Sequence, residues 1–141
     1  DVAVTGVQTC ALPISLAVVG AHLSGEPLNG QLTDLGARLL RSARTAARYR
    51  LYVLPDSVPA KPGLVCCGDG GAEIEVEVWE LGEREFGAFV AAIPPPLGIG
   101  TVQLSDGSSV KGFLCEAHAT RGAPDISAHG GWRAYLGRPS P

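Results

Sequence analysis

"LAVVGAHLSGEPLNGQLTDLGARLLRSART", residues 16–45, holds the change of pattern on which the fold turns. Leu16 to Val19 is an unbroken apolar run of the length of a buried strand. Gly20 to Gly25 breaks that run into a loop. Beyond it, Leu28, Leu32, Leu35 and Leu39 recur at spacings of four, three and four. That is the face of an amphipathic helix, with Asn29 placed as its N-cap. A strand, a glycine-bearing loop and a helix thus follow one another directly. Backbone N–H groups and the positive end of a helix dipole would meet at such a junction. Gly20 and Gly25 would let the backbone approach a ligand, and His22, Ser24 and Asn29 would offer polar tips. The same residues equally suit a plain connection in which Ser and Asn only cap the helix.

Working outward, "YRLYVLP" (49–55) reads as a strand closed by Pro55, and "LVCC" (64–67) as another after the loop "DSVPAKPG". "EIEVEVWEL" (73–81) is the clearest strand. Ile74, Val76 and Val78 point one way, and Glu73, Glu75, Glu77 and Trp79 the other. "GEREFGAFVAAI" (82–93) carries Phe86, Phe89, Val90 and Ile93 at helical spacing until the prolines from Pro94 to Pro96 stop it. "GTVQLSDGSSVKGFLCEA" (100–117) reads as a hairpin turning at Asp106-Gly107. "DISAHGGWRAYL" (125–136) makes a last short helix or strand that brings Trp132 and Tyr135 to the core. The order β-α-β-β-β-α-β-β predicts an α+β fold, a small curved mixed sheet or barrel with two main helices. No GxGxxG or Walker-type loop is present, which argues against a doubly wound nucleotide fold.

The 141-residue chain has 45% hydrophobic and 18% charged residues, enough apolar content for a core and against disorder. Its formal charge of −3 leaves no basic stripe for a nucleic acid. Arg38, Arg41, Arg44, Arg48 and Arg50 read as a solvated helix face. No apolar run reaches the length of a membrane span. Cys66, Cys67 and Cys115 contain no CxxC pair and fit a reducing cytoplasm better than a disulfide framework. The N-terminal stretch "VTGVQTCALPIS" (4–15), which includes Cys10, follows neither strand nor helix period. Its first eleven residues are the in-frame translation of a common sequencing-adaptor primer. Residues 1–15 are therefore expected to be non-native, and 16–141 to form the domain.

Other side chains suggest chemistry less sharply. Lys111, between Val110 and Gly112, fits a cavity-facing anion ligand or the outer face of a hairpin. Glu116 and His118 suit an acid/base pair or a strand end. Cys115 and His118 alone do not make a metal site, and neither a metal nor an organic cofactor is expected. No GxSxG or Cys–His arrangement supports a nucleophile.

At "VVGAHLSGEPLNGQLTDLGAR" (18–38) the chain resembles the C-terminal domain of allophanate hydrolase, an enzyme of urea degradation. The likeness runs on through "YRLYVLP", "KPGLV", "IEVEVWEL", "FVAAIPPPLGIGTVQLSDG", "VKGFLCEAHA" and "DISAHGGWRAYL". The resemblance implies a γ-glutamyl cyclotransferase-like fold. It also implies a partner, the family's N-terminal amidase half, which turns allophanate into N-carboxycarbamate and ammonia. The C-terminal domain is then expected to decarboxylate that anionic product, with His22 catalytic and Gly20, Ser24, Gly25, Asn29 and Lys111 binding substrate. The amidase half lies outside this chain, so the chain is expected to be a fragment that releases no ammonia from allophanate by itself. The alternative is a non-catalytic domain that supports or oligomerises the amidase half, a homodimer being one form. A third reading is a cyclotransferase on γ-glutamyl amines. It would need Glu75 or Glu77 inside the barrel, since the relatives' acidic residue falls where this chain has Pro94 to Pro96.

Overall fold

Strand β1, Ile14–Val18, forms the middle of the molecule in the computed structural model, which describes residues 12–139. Leu16 and Val18 are wholly buried, and Ala17 between them nearly so. A strand with neighbours on both edges and both faces must be apolar throughout. The strand starts two residues before the expected Leu16, because Ile14 and Ser15 pair with Leu81 and Glu80. Most of the expected non-native segment, residues 1–11, lies outside the described residues.

After β1 come helix α1 (Gly30–Thr33) and strands β2 (Arg38–Arg44), β3 (Tyr49–Val53), β4 (Pro62–Cys66) and β5 (Glu75–Leu81). Helix α2 (Glu83–Ala91), strands β6 (Leu97–Gln103) and β7 (Ser109–Cys115) and helix α3 (Trp132–Leu136) complete the order. Five strands form one mixed sheet in the order β2-β5-β1-β7-β6. Only β1 and β7 run parallel within it; the other neighbours are antiparallel. The expected hairpin is β6–β7, with Val102 opposite Val110 and Gly107 at φ +90° in its turn. Strands β3 and β4 form a second, two-stranded sheet. Gly63 lets β4 close on β7, since a Cβ there would lie 2.8 Å from Cys115.

The fold is α+β as expected, but the sheets do not close into a complete barrel. The large sheet curls until its edges touch at one end, where Thr45 bridges Leu104 and the Ala46 amide donates to the Gln103 carbonyl at 2.9 Å. Leu16, Val18, Leu51, Leu64, Val76 and Leu104 belong to one buried hydrophobic core.

The long first helix expected after Asn29 is a single turn. Gly36, at φ +75°, ends it in a Schellman motif: the Ala37 amide donates to the Leu32 carbonyl and the Gly36 amide to that of Thr33. The chain then runs extended, and Arg38–Arg44 pairs with β5 as an edge strand. Leu32 is buried as the periodicity requires, whereas Leu39 is 42% exposed on β2. The basic stretch is thus partly a strand rather than a helix face. α2 matches the expectation, with Phe89 buried and the prolines following it.

Candidate functional site

The loop that leaves β1 is a series of turns, and many of its polar groups already have a partner within the fold. The Leu23 amide donates to the Gly20 carbonyl, that of Glu26 to Leu23, that of Leu28 to Ala21 and that of Asn29 to Glu26. The Ser24 amide and hydroxyl both donate to Glu77 Oε1, at 2.8 and 3.0 Å. These N–H groups are therefore spent inside the fold, and α1 is too short to present a dipole to an anion. These five amides are thus not free for an anion. Gly25 stands at φ +82° and serves a turn. Gly20 has no room for a Cβ because the ring of Pro62 lies against it. What it approaches is β4, not a ligand.

This packing nevertheless positions His22. The Asn29 side chain, instead of capping α1, donates from Nδ2 to the His22 carbonyl at 2.8 Å. The imidazole stacks on Phe113 of β7 at 4.9 Å between centroids and 20° between planes. Phe89 of α2 meets it edge-on at 5.2 Å. Nε2 lies 2.9 Å from Gln31 Oε1, so the tautomer that donates there leaves Nδ1 as the uncommitted nitrogen. Burial pushes the His22 pKa below its ordinary value of 6.5; the Gln31 hydrogen bond opposes that shift and the charge of Lys61 adds to it.

His22, Gln31, Lys61, Phe89, Leu97 and Phe113 stand among the walls of a cavity of about 240 Å³. Lys61 also borders a neighbouring cavity of about 350 Å³ under the prolines that follow α2. Lys111 is not in this group. It sits opposite Leu16 in the β1–β7 register, on the exposed part of the strand, and donates to Thr101 Oγ1 at 3.0 Å. Phe113, two residues further along β7, is the one that reaches His22. The cation of the cavity is therefore Lys61, which sequence reading passed over as a loop residue. Its only signal was its place immediately before an apolar strand.

Below the loop lies a buried ionic cluster that the alternation of β5 does not by itself reveal. Glu77 is fully buried and Glu75 half-buried, while Glu73 is exposed. Glu77 accepts from Ser24, from the Trp79 indole at 3.2 Å and from Arg133 Nη2 at 2.7 Å. Arg133 also donates to the Ser24 carbonyl at 3.1 Å and pairs with Glu75 at 3.6 Å. Burial alone would raise the Glu77 pKa, but these donors outweigh it and hold the carboxylate below 4.5. Neither glutamate borders the His22 cavity. A cyclotransferase reading loses its candidate acid on this ground. Glu116 and His118 lie 3.1 Å apart, both exposed, beyond the end of β7. Tyr135 stacks on buried Trp132 but remains 37% exposed. Among the described residues no three His, Cys, Asp or Glu side chains cluster to hold a metal ion, and no helix is long and apolar enough to cross a membrane.

Comparison with known proteins places this geometry in a family. The family model described as "Allophanate hydrolase C-terminal domain" matches residues 14–137. A urea amidolyase of Saccharomyces cerevisiae is 45% identical over 127 residues, which cover 87% of this chain and 7% of that protein. The solved structure of Kluyveromyces lactis allophanate hydrolase superposes with a TM-score of 0.84 at 44% identity, covering 88% of this chain and 21% of that one. A uropathogenic E. coli-specific protein gives the same TM-score at 36% identity, covering 91% of this chain and 98% of its own. An AIG2-like protein of Mus musculus, at 18% identity, 80% and 85% coverage and a TM-score of 0.59, shares the fold alone. The chain spans only a small part of the length of the curated relatives it matches.

Proposed function

The chain belongs to the allophanate hydrolase C-terminal domain family, and from that membership we propose that it decarboxylates N-carboxycarbamate with His22 as the residue that manages the proton. The substrate carries two carboxylates on one nitrogen. Breaking one C–N bond releases carbon dioxide, leaves the electron pair on nitrogen and requires a proton there, giving carbamate. A group that delivers a proton, or stabilises charge as it develops on nitrogen, lowers that barrier. Carbamates lose carbon dioxide readily, so little acceleration is required of the site.

The observation that supports this reading is a buried imidazole, fixed by two aromatic rings and Gln31, in the wall of a cavity without an acidic side chain. Burial disfavours the charged form of His22 and pushes its pKa below 6.5. A carboxylate arriving beside it favours the imidazolium, so the acid is formed where it is used. The amidase half that supplies the substrate belongs to this proposal as partner, in the degradation of urea. Gly20, Ser24, Gly25 and Asn29 act in it by shaping the loop, not by touching substrate.

The test feeds allophanate to an amidase half of the family and follows carbon dioxide continuously, with the 141-residue chain or its His22→Ala form added. The expected result is a shorter lag with the unsubstituted chain and no shortening with His22→Ala. An unchanged lag with both, in protein shown to be folded by circular dichroism, overturns the reading. It would favour a supporting domain instead, for which the exposed Leu39 and Leu40 on edge strand β2 speak.

A further inference from the structure

We infer that Lys61 is the anion anchor of the His22 cavity and that the pair selects a compact dianion, one carboxylate held by the Lys61 ammonium and the other set against the His22 ring. This inference rests on the proposed decarboxylation for the identity of the substrate, but not for the binding itself. The first ground is charge. Among the residues lining the two crevices that His22 borders, only His22 and Lys61 titrate or carry charge. The second is availability. Among the described residues Arg38, Arg41, Arg48, Arg50, Arg133 and Arg138 each pair with a carboxylate, whereas no carboxylate pairs with Lys61.

The third ground is rigidity of attachment. The Lys61 amide donates to Ser57 Oγ at 3.0 Å, and its carbonyl accepts from the Leu54 amide at 3.0 Å. The next residue, Pro62, begins β4 and lies against Gly20, at the root of the His22 loop. The Lys61 main chain is thus tied to the connection between β3 and β4, the residue after it packs against the loop that carries the histidine, and no carboxylate pairs with its ammonium among the described residues. The fourth is elimination. The amides of Leu23, Ser24, Glu26, Leu28 and Asn29 donate within the fold and Lys111 lies elsewhere, which leaves Lys61 as the cationic side chain at the cavity.

The electrostatics agree. Lys61 and an imidazolium repel, and a dianion between them removes the repulsion, so ligand and proton should bind together. A monocarboxylate satisfies only one of the two positions.

Malonate tests this, because a methylene replaces the substrate nitrogen and no reaction can follow. Its binding to the 141-residue chain would be measured by calorimetry near neutral pH in two buffers of different ionisation enthalpy, with acetate for comparison. The variants are Lys61→Gln, Lys61→Arg and Lys111→Gln. Expected are malonate binding with proton uptake, much weaker acetate binding, and a loss of about tenfold or more for Lys61→Gln. Lys61→Arg should recover part of the affinity, and Lys111→Gln should behave as the parent. No malonate binding by the folded parent, equal affinity in Lys61→Gln, or an equal loss in Lys111→Gln overturns the inference. Malonate binding that depends on Lys61, together with an unchanged carbon dioxide lag, would sink the decarboxylase and leave the anchor standing.

Discussion

Burial between two phenylalanines favours the neutral form of His22, and the hydrogen bond to Gln31 offsets that only in part. The consequence for stability has a definite sign. In the unfolded chain the imidazole titrates near 6.5, and in the folded chain lower. As pH falls through 6.5 the unfolded chain takes up its proton first, so the folded state loses stability. Urea unfolding at about pH 7.5 and about pH 5.5 should show a loss of up to about 1 kcal/mol from this group, which His22→Gln removes. Glu77 does not confuse that window, since its carboxylate is held below 4.5 and its stabilisation fades only at lower pH. An equal pH dependence in both proteins would mean that His22 is not shielded. The residue itself was legible in "GAHLSG"; the aromatic clamp was not, because Phe89 and Phe113 lie far off in the chain.

At the scale of elements, the molecule staples its site loop to the sheet from below. Glu77 on β5 takes the loop's Ser24, and Arg133 on α3 takes both Glu77 and the Ser24 carbonyl. Removing one partner of a buried pair leaves the other charge without compensation. Glu77→Gln should therefore cost about 3–5 kcal/mol in a urea titration. Adding Arg133→Met to it should recover part of that loss, because the orphaned charge goes. If the double variant is worse than the single one, Arg133 works chiefly through the Ser24 carbonyl. Glu75 and Glu77 share an alternating pattern and both meet Arg133, but only Glu77 also takes Ser24 and the Trp79 indole. Likewise Leu28 to Leu39 has helical spacing, yet Gly36 turns the chain and β5 recruits Arg38–Arg44. The stop signal was in the sequence; the open edge that received the strand was not.

The whole molecule assembles the cavity from four distant stretches: the loop after β1, the lead into β4, the end of α2 with its prolines, and β7. No one of them carries the site alone, so a ligand there must bind the folded state in preference to the unfolded one. Malonate should raise the thermal midpoint of the 141-residue chain as its concentration rises. The gain is about 2.7 kcal/mol at about 100 times Kd, and Lys61→Gln should abolish most of it. A midpoint that responds equally in both proteins would point to a general effect of the salt. The packing of the two sheets matters here, because β4 lies against β7 at Gly63 and against the end of β1 at Gly20.

By itself the sequence determined the strands other than β2, together with α2, the hairpin, the family and the candidate histidine. Each is written in a local pattern: an apolar run, a helical period, a turn dipeptide or a contiguous motif. Tertiary structure alone decided that Asn29 and Ser24 face inward, that Glu77 is buried against Arg133, and that Lys61 rather than Lys111 shares the cavity with His22. A polar side chain reads the same in sequence whether it meets water, an ion or a neighbouring strand. Which of these it meets depends on segments that folding brings together and the linear chain keeps apart.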